Sequence, residues 1–305
     1  MYLIVLEKML EMFIILIVGI IAFKTGIIDE KANKRLSNLL LMIVSPLVIV
    51  VSYQLEFDSE LLHGLILALI ASIITYIVTI LVSKPLISKQ NINYSVEKIA
   101  ALYSNCGFIG IPLINGILGA EGVFYMTAYM TVFNILVWTH GILVMEKNAN
   151  IKNAWRNLIT PAVIAVFVGL VLFLFRIKLP EIIYSPVDMI ASMNTPLAMI
   201  VAGCNIAQSN LKNSLKKIRI YYVCFLKLVL FPIICIPVLM LMHISFEIAF
   251  TVWIGVACPT GATVIMFAER HEKDALYASE IFVISTVLSM ASIPLLSIIA
   301  NNLLK

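Results

Sequence analysis

The stretch YSNCGFIGIPL, residues 103–113, lies inside an apolar run that is long enough to cross a bilayer. Pro112 has no backbone N–H and its ring crowds the carbonyl of Phe108, while Gly107 and Gly110 add backbone freedom. Unpaired backbone inside a membrane must line a cavity or be buried in protein. We therefore predict that a membrane helix is broken at this stretch, and that the break serves a purpose.

The composition is that of a membrane protein. Of the 305 residues, 62% are hydrophobic and 12% are charged, and the mean hydropathy is +1.05. Soluble domains carry about a quarter charged residues. Apolar runs of about 20 residues cross a bilayer as helices, and we predict an all-α membrane protein with ten such transmembrane helices. The predicted spans are 5–23, 36–54, 62–83, 98–117, 122–145, 157–175, 182–207, 218–242, 246–268 and 275–300.

The distribution of lysine and arginine predicts the orientation. Of these 21 residues, 16 fall in or beside the loops that follow odd-numbered helices, and loops rich in them are cytoplasmic. We therefore expect a multi-pass protein of the plasma membrane with both termini extracellular, and no nucleic-acid partner. Glu7, Lys8 and Glu11, with no small-residue cleavage site, favour a first helix over a signal peptide.

The two halves of the chain resemble each other. Three pairs of segments match at an offset of 150 to 154 residues. They are VGIIAF (18–23) with VGLVLF (168–173), SPLVIVVS (45–52) with TPLAMIVA (195–202), and SNCG (104–107) with CPTG (258–261). The pattern predicts a five-helix repeat over 1–145, a short cytoplasmic linker over 146–156 and a second repeat over 157–305. Because five is odd, the second repeat is inverted, which is typical of secondary transporters.

The ninth span carries a second breaking sequence, ACPTGA, at residues 257–262. Pro259 and Gly261 interrupt this helix as the opening stretch interrupts helix four. Two interruptions at equivalent positions predict that helices four and nine are broken and cross, each exposing the N-terminus of a half-helix. Free N–H groups and partial positive charge at such a terminus suit an anion. The alternative is a pair of proline kinks that only shape the packing.

Polar residues beside the breaks are candidate ligands. Asn105 contributes an amide that binds a ligand or caps loose carbonyls, and Thr260 contributes a hydroxyl at the second interruption. Cys258 has a steric role in this interpretation. The five cysteines show no metal-ligand spacing and are interpreted mostly as small packing residues.

Helices two and seven carry another related pair, Ser45-Pro46 and Asn194-Thr195-Pro196. Proline at these positions bends a membrane helix. The polar side chains next to the prolines are candidates to face a central cavity, and we include Ser45, Asn194 and Thr195 among the predicted site residues.

Lys227 is the most unusual charged residue, because it lies about two turns inside helix eight. A lysine at that depth is costly and is a functional candidate, either as a counter-charge for a substrate or as a partner for a buried polar group. The alternative is snorkelling of its stem towards the inner surface. His140 is predicted to be packed or interfacial, with proton coupling as the alternative. Asp188 and Glu280 are predicted to be hydrated near helix ends.

Missing motifs exclude several classes of protein. The chain has no HExxH and no GxSxG motif, so we predict no enzyme, no cofactor and no metal site. We find no membrane-embedded pair of acidic residues, which argues against a carboxylate-based sodium site. A carrier is favoured over an anion channel, which needs a more continuous polar stripe, and over a non-transporting membrane receptor with the same fold.

Three segments resemble the auxin efflux carrier family of membrane permeases, and the resemblance extends over essentially the whole chain. NCGFIGIPL (105–113) is similar to the family's Asn-x-Gly-Phe-x-Gly-x-Pro-Leu segment, and LKLVLFP (226–232) to its lysine-containing eighth helix. ACPTGATVIMFAERHEKDALYAS (257–279), followed by STVLSMASIP (285–294), is similar to its ninth and tenth helices.

The resemblance implies a ten-helix inverted repeat in which helices one, two, six and seven form a scaffold and the others a mobile transport domain. It also implies a homodimer that binds an organic carboxylate such as malate, malonate or an auxin beside the crossing helices and carries it by an elevator-like shift. The family's crossover asparagine and proline match Asn105 and Pro112, and its helix-nine proline matches Pro259. Thr260 stands where the plant carriers have asparagine, and the linker over 146–156 is short. The resemblance therefore does not identify an auxin as the substrate.

Together these considerations predict a site for a small organic anion within the lipid bilayer. The predicted substrate-binding residues are Ser45, Asn105, Gly107, Phe108, Gly110, Pro112, Asn194, Thr195, Lys227, Cys258, Pro259, Thr260 and Gly261.

Overall fold

The computed structural model describes residues 2–146, 160–208 and 216–305, and every regular element within those ranges is a helix. We number them in chain order. They are α1 Tyr2–Lys24, α2 Glu30–Ser52, α3 Ser59–Leu86, α4 Tyr94–Leu102, α5 Cys106–Met145, α6 Pro161–Leu174, α7 Glu181–Gln208, α8 Ile218–Leu241, α9 Phe246–Ala257, α10 Thr263–Arg270 and α11 Ala275–Leu303.

Six of these helices, α2, α3, α5, α7, α8 and α11, are long and apolar enough to cross a membrane. The helix α1 is also long enough, at 23 residues, but it is not among the six because it carries Glu7, Lys8 and Glu11 in its first half. Large apolar side chains such as Ile66 and Phe167 remain exposed on the helices, as expected of surfaces that face lipid. The prediction of an all-helical membrane protein is therefore confirmed.

Parts of two predicted segments lie outside the described residues. The predicted span 157–175 begins before residue 160, where the description resumes, and the predicted linker 146–156 is described only at its first residue. The remaining predicted spans correspond to helices or to pairs of helices in the structure.

Three prolines lie just after a five-residue π-helical turn: Pro46 after Leu40–Val44, Pro112 after Cys106–Gly110 and Pro232 after Leu226–Leu230. A proline cannot donate a hydrogen bond to the carbonyl four residues back, and its ring crowds that carbonyl. The wider π turn shifts the hydrogen bonds by one residue and so relieves the crowding. The prediction that Gly107, Gly110 and Pro112 break a helix is therefore wrong in position, because α5 continues through all three and the break lies just before Cys106.

The long helix α5 contains a sharp kink. Gly119 adopts φ 63° and ψ −150°, a conformation that is open to glycine and costly for other residues. The kink separates residues 106–118 from residues 120–145, close to the boundary predicted between helices four and five. In α7, a turn at Met193 likewise separates Glu181–Ser192 from Asn194–Gln208.

The helices α1 and α7 pack against each other along much of their length. Gly19 lies against the backbone of Ile200, and Gly203 lies against the carbonyl oxygen of Leu16. The Cys204 thiol also donates to the carbonyl oxygen of Gly19 at 3.4 Å. Small residues that let two backbones approach are a common basis of helix association in membranes, so this contact joins the two halves of the chain.

We expect Gly203→Ala to lower the free energy of unfolding by about 2 kcal/mol, because the added Cβ would overlap the carbonyl oxygen of Leu16. The matched control is Gly107→Ala, whose Cβ would meet only Met130 Cε at 3.9 Å. Denaturant titration of both variants in detergent micelles measures the difference. Equal stability of the two variants would contradict the packing argument.

Candidate functional site

Two helix interruptions meet in the interior of the protein. The first break, residues 103–105, separates α4 from α5, and the second break, residues 258–262, separates α9 from α10. Ser104 and Thr260 face each other in a single antiparallel bridge, and both residues are buried. The predicted interruptions of two helices are therefore present, and they contact each other directly.

The two breaks satisfy part of each other's backbone. The Asn105 N–H donates to the carbonyl oxygen of Pro259 at 2.7 Å, and the Gly261 N–H donates to the carbonyl oxygen of Tyr103 at 2.9 Å. Non-helical backbone at membrane depth is tolerated only where it is buried in protein or lines a water-filled cavity. Because the two breaks pair with each other, both helices can be interrupted without leaving these backbone groups unbonded.

Thr260 completes this pairing through its side chain. Its hydroxyl donates to the carbonyl oxygen of Ala100 in the last turn of α4 at 2.9 Å. Its backbone N–H donates to Ser285 Oγ on α11 at 3.2 Å. Thr260 is fully buried, and its hydroxyl proton is used to cap a helix carbonyl. The Thr260 hydroxyl is therefore not a free donor at the second break.

Two polar side chains at the starts of α5 and α10 are without partners in the described part of the chain. Asn105 is 5% exposed, and its carboxamide forms no hydrogen bond. Thr263 Oγ1 is buried and is also unpaired. The first N–H groups of a helix have no carbonyl of their own helix to bond, and they carry partial positive charge. Each break thus joins a helix N-terminus to an unpaired polar side chain, and sequence reasoning missed Thr263.

The glycines and prolines that follow the first break have two different environments. Gly107 and Phe108 are half-buried, whereas Gly110 and Pro112 are buried. A Cβ on Gly110 would lie 3.3 Å from Cys258 Sγ. The fully buried Cys258 therefore packs against α5 across the break, which agrees with the steric role predicted for it.

The predicted pair in α2 and α7 is joined directly. Ser45 Oγ donates to Asn194 Oδ1 at 2.9 Å, and both residues are buried. Asn194 Nδ2 has no partner among the described residues, and Thr195 is half-buried. Because the segment Asn194–Gln208 contacts Cys106–Gly110, this polar pair belongs to a helix that borders the start of α5.

Lys227 reaches both breaks. Its Nζ donates to Ser104 Oγ in the first break at 2.5 Å, and to the carbonyl oxygen of Val256, just before the second break, at 3.1 Å. Ser104 Oγ lies 3.3 Å from Tyr129 Oη. The side chain of Lys227 is 1% exposed, so snorkelling to the inner surface is not what this lysine does.

The chain matches the family model described as "Membrane transport protein" over residues 4–154 and again over residues 148–297. This is the auxin efflux carrier family, and the chain belongs to it. A protein of Methanothermobacter thermautotrophicus named "Uncharacterized transporter" is 22% identical over 304 residues, which cover 96% of this chain and 97% of that protein. The predicted family is confirmed, and the chain is a membrane transporter.

The transporter also contains a buried charge cluster that sequence reasoning missed. Glu97 is fully buried at the start of α4. Arg219 binds its carboxylate with two nitrogens, at 2.8 to 3.1 Å, and Tyr277 Oη and Asn91 Nδ2 donate to it at 3.0 and 2.8 Å. The predicted helix four began at residue 98, so Glu97 was assigned to a loop. The cluster ties α4, α8 and α11 together.

The prediction that Glu280 is hydrated is wrong. It is 4% exposed and accepts a hydrogen bond from Lys217 Nζ at 2.6 Å. The half-exposed ammonium of Lys217 neutralises a carboxylate that would be costly to bury alone. Asp188, by contrast, is exposed, in agreement with the prediction for it.

His140 of the transporter contacts the first break through one residue. Its Nδ1 lies 2.9 Å from Tyr103 Oη, which also donates to the carbonyl oxygen of Leu136 at 2.9 Å. Because the tyrosine has a single hydroxyl proton, the histidine Nδ1 is the donor in this pair. The predicted packed position of His140 is therefore correct.

Proposed function

We propose that this transporter carries small organic carboxylate anions, such as malate or malonate, across the plasma membrane by an elevator-type alternating-access mechanism. The observation that carries the proposal is Asn105, a residue only 5% exposed, whose carboxamide has no partner in the described chain and lies directly before the N-terminus of α5. A carboxylate beside Asn105 would accept hydrogen bonds from the amide and from the first N–H groups of α5, which also carry the positive end of the helix dipole.

Two further unpaired groups support an anionic substrate. Thr263 Oγ1 lies at the start of α10, and its hydroxyl can donate to a carboxylate oxygen. In Asn194, the oxygen accepts from Ser45 and the unpaired atom is Nδ2, which can only donate. All three free groups therefore offer hydrogen-bond donors, and donors are what a carboxylate requires.

We further propose that the helices form ten membrane crossings in two inverted halves. Here α4 and residues 106–118 make one interrupted crossing, residues 120–145 the next, and α9 with α10 another. The helices α1, α2, α3, α6, α7, α8 and α11 make one crossing each. The excess of lysine and arginine in the loops after odd-numbered crossings supports extracellular termini.

Two internally bonded groups of helices support the elevator movement. In the first group, α1 packs closely on α7, and Asn33 of α2 donates to Asn205 Oδ1 of α7 at 2.7 Å. In the second group, the paired breaks and the Glu97–Arg219 pair join α4, α5, α8 and α9, and hydrogen bonds from Thr260 to Ser285 and from Tyr277 to Glu97 add α11. Each group has the internal connections that a rigid body needs, and the second carries both breaks.

The test is uptake of labelled malate, malonate and indole-3-acetate into proteoliposomes, with and without an imposed pH gradient. We expect saturable uptake of at least one acid, and counter-transport of the label when the same unlabelled acid is present inside. No uptake of any of the three acids by correctly folded protein would contradict the organic-anion assignment. Flux that does not saturate would indicate a channel, and binding without flux would indicate a receptor.

A further inference from the structure

Lys227 lies on the side of each break where the preceding helix ends. Ser104, its first partner, follows the C-terminus of α4, and Val256, its second, lies in the last turn of α9. We propose that Lys227 is a positioning residue that clamps the two breaks together and does not contact the transported anion. The proposed effect on transport rests on the function proposed above, whereas the clamp itself does not.

Charge explains why a lysine suits this position. The last carbonyls of a helix have no partner within it, and they carry partial negative charge. One ammonium group here bonds to a carbonyl in the last turn of α9 and to the hydroxyl of Ser104, two residues after α4 ends. Within the described ranges, Lys227 forms no salt bridge with a carboxylate. The partial negative charge at the C-terminus of α9 is therefore what compensates the ammonium.

The anion would be expected on the other side of each break. Asn105 and the N-termini of α5 and α10 present donors and partial positive charge, whereas Lys227 lies against the carbonyl oxygen of Val256 and the hydroxyl oxygen of Ser104. A carboxylate near Val256 would meet those oxygens and be repelled. The breaks thus have a donor side for the anion and an acceptor side that the lysine occupies.

Tyr129 of α5 extends the clamp. Because Ser104 Oγ accepts a hydrogen bond from Lys227, its own hydroxyl proton is free to form a hydrogen bond to Tyr129 Oη, 3.3 Å away. The ring of Tyr129 also packs against Gly255, where an added Cβ would lie 2.7 Å from the ring. The end of α9 is therefore held by a hydrogen bond to Lys227 and by an aromatic contact. The titratable groups near the amine are the thiols of Cys106, Cys235 and Cys258 and, beyond Ser104, the phenol of Tyr129.

The native cysteines provide a test that does not depend on transport. Cys106 begins α5 and Cys258 opens the second break, and both are buried. Lys227→Met keeps the length of the side chain and removes the amine. We expect the variant to react with N-ethylmaleimide at Cys106 and Cys258 about tenfold faster than the unmodified protein, because reagent access requires local opening of the breaks. Peptide mass spectrometry locates the labelled thiols.

Cys204 is the internal control, because it is buried in α7 and its thiol is bonded to the carbonyl oxygen of Gly19 in α1. Its labelling rate should not change in Lys227→Met. Unchanged labelling of Cys106 and Cys258 in folded Lys227→Met protein would overturn the clamp. Equal acceleration at all three thiols would overturn it as well, because global loosening would then be the cause.

Ser104→Ala is the second variant, and it carries the test if Lys227→Met does not fold. It keeps the lysine and removes one of its two acceptors, so we expect the same two thiols to react about threefold faster. In uptake assays, Lys227→Met should lower the maximal rate about tenfold and leave KM within about threefold. A large rise in KM with unchanged labelling would make Lys227 a substrate ligand. Absence of uptake by the unmodified protein would overturn the proposed function and leave the labelling result standing.

Discussion

Arg219→Met is expected to lower the free energy of unfolding by about 3 kcal/mol, because it leaves the Glu97 carboxylate buried without a cation. Removal of one partner from a buried ion pair costs more than the net value of the pair, since the remaining charge stays desolvated. Arg219 is itself 40% exposed, which places the expected loss at the lower end for such pairs. Tyr277 and Asn91 would still donate to the carboxylate.

The measurement is denaturant titration in detergent micelles, with Arg176→Met as the control. Arg176 stacks over the ring of Phe57 at 4.7 Å. We expect the control to lose only about 0.5–1 kcal/mol of stability, which is what such an exposed cation–π contact contributes. The double variant Glu97→Gln/Arg219→Met should recover much of the lost stability, because it removes the stranded charge. If the double variant is less stable than Arg219→Met alone, the explanation by an unpaired carboxylate is wrong.

The same cluster illustrates what the sequence could not predict. Glu97 and Arg219 are 122 residues apart, and periodicity or hydropathy cannot pair residues at that distance. The carboxylate was assigned to a loop because the predicted fourth span begins one residue later, at Lys98. A charged residue at the first turn of a membrane helix is compatible with burial when another helix supplies a cation, and that partner is visible only in the fold.

The helix interruptions were predictable because glycine and proline act locally. Pro259 and Gly261 do lie within the second break. The position of the first break was wrong because a π turn accommodates Pro112, and the choice between a kink and a break depends on tertiary contacts. At residues 103–105, the partner that stabilises the non-helical backbone is the second break.

The roles of the individual polar residues were the least predictable part of the site. Thr260 and Thr263 are both hydroxyl residues of the same short segment, and composition does not distinguish them. In the fold, the first caps Ala100 and the second is unpaired. The burial of Lys227 was a prediction from its depth in helix eight, but the partners of its amine depend on how α8 packs against both breaks.

Asn105→Ala is expected to lower kcat/KM for uptake of the transported acid by about 10- to 100-fold, because a hydrogen bond to a charged group contributes about 1.5–3 kcal/mol. The folded structure should change little, since the lost carboxamide forms no hydrogen bond in the described chain. The backbone bond from Asn105 to Pro259 would remain. The variant therefore separates substrate binding from assembly of the breaks, and stability and KM should be measured on the same preparation.

Asn115→Ala is the matched control for this substitution. Asn115 lies on the same helix, ten residues further along, and is exposed, so its amide is about 15 Å from the break along the helix axis. We expect unchanged uptake in this control. Unchanged uptake in Asn105→Ala would leave the protein a transporter but exclude the amide beside the first break as its carboxylate ligand. The donors that remain would then be Thr263, Asn194 and the two helix N-termini, and Thr263→Val would be the next substitution to test.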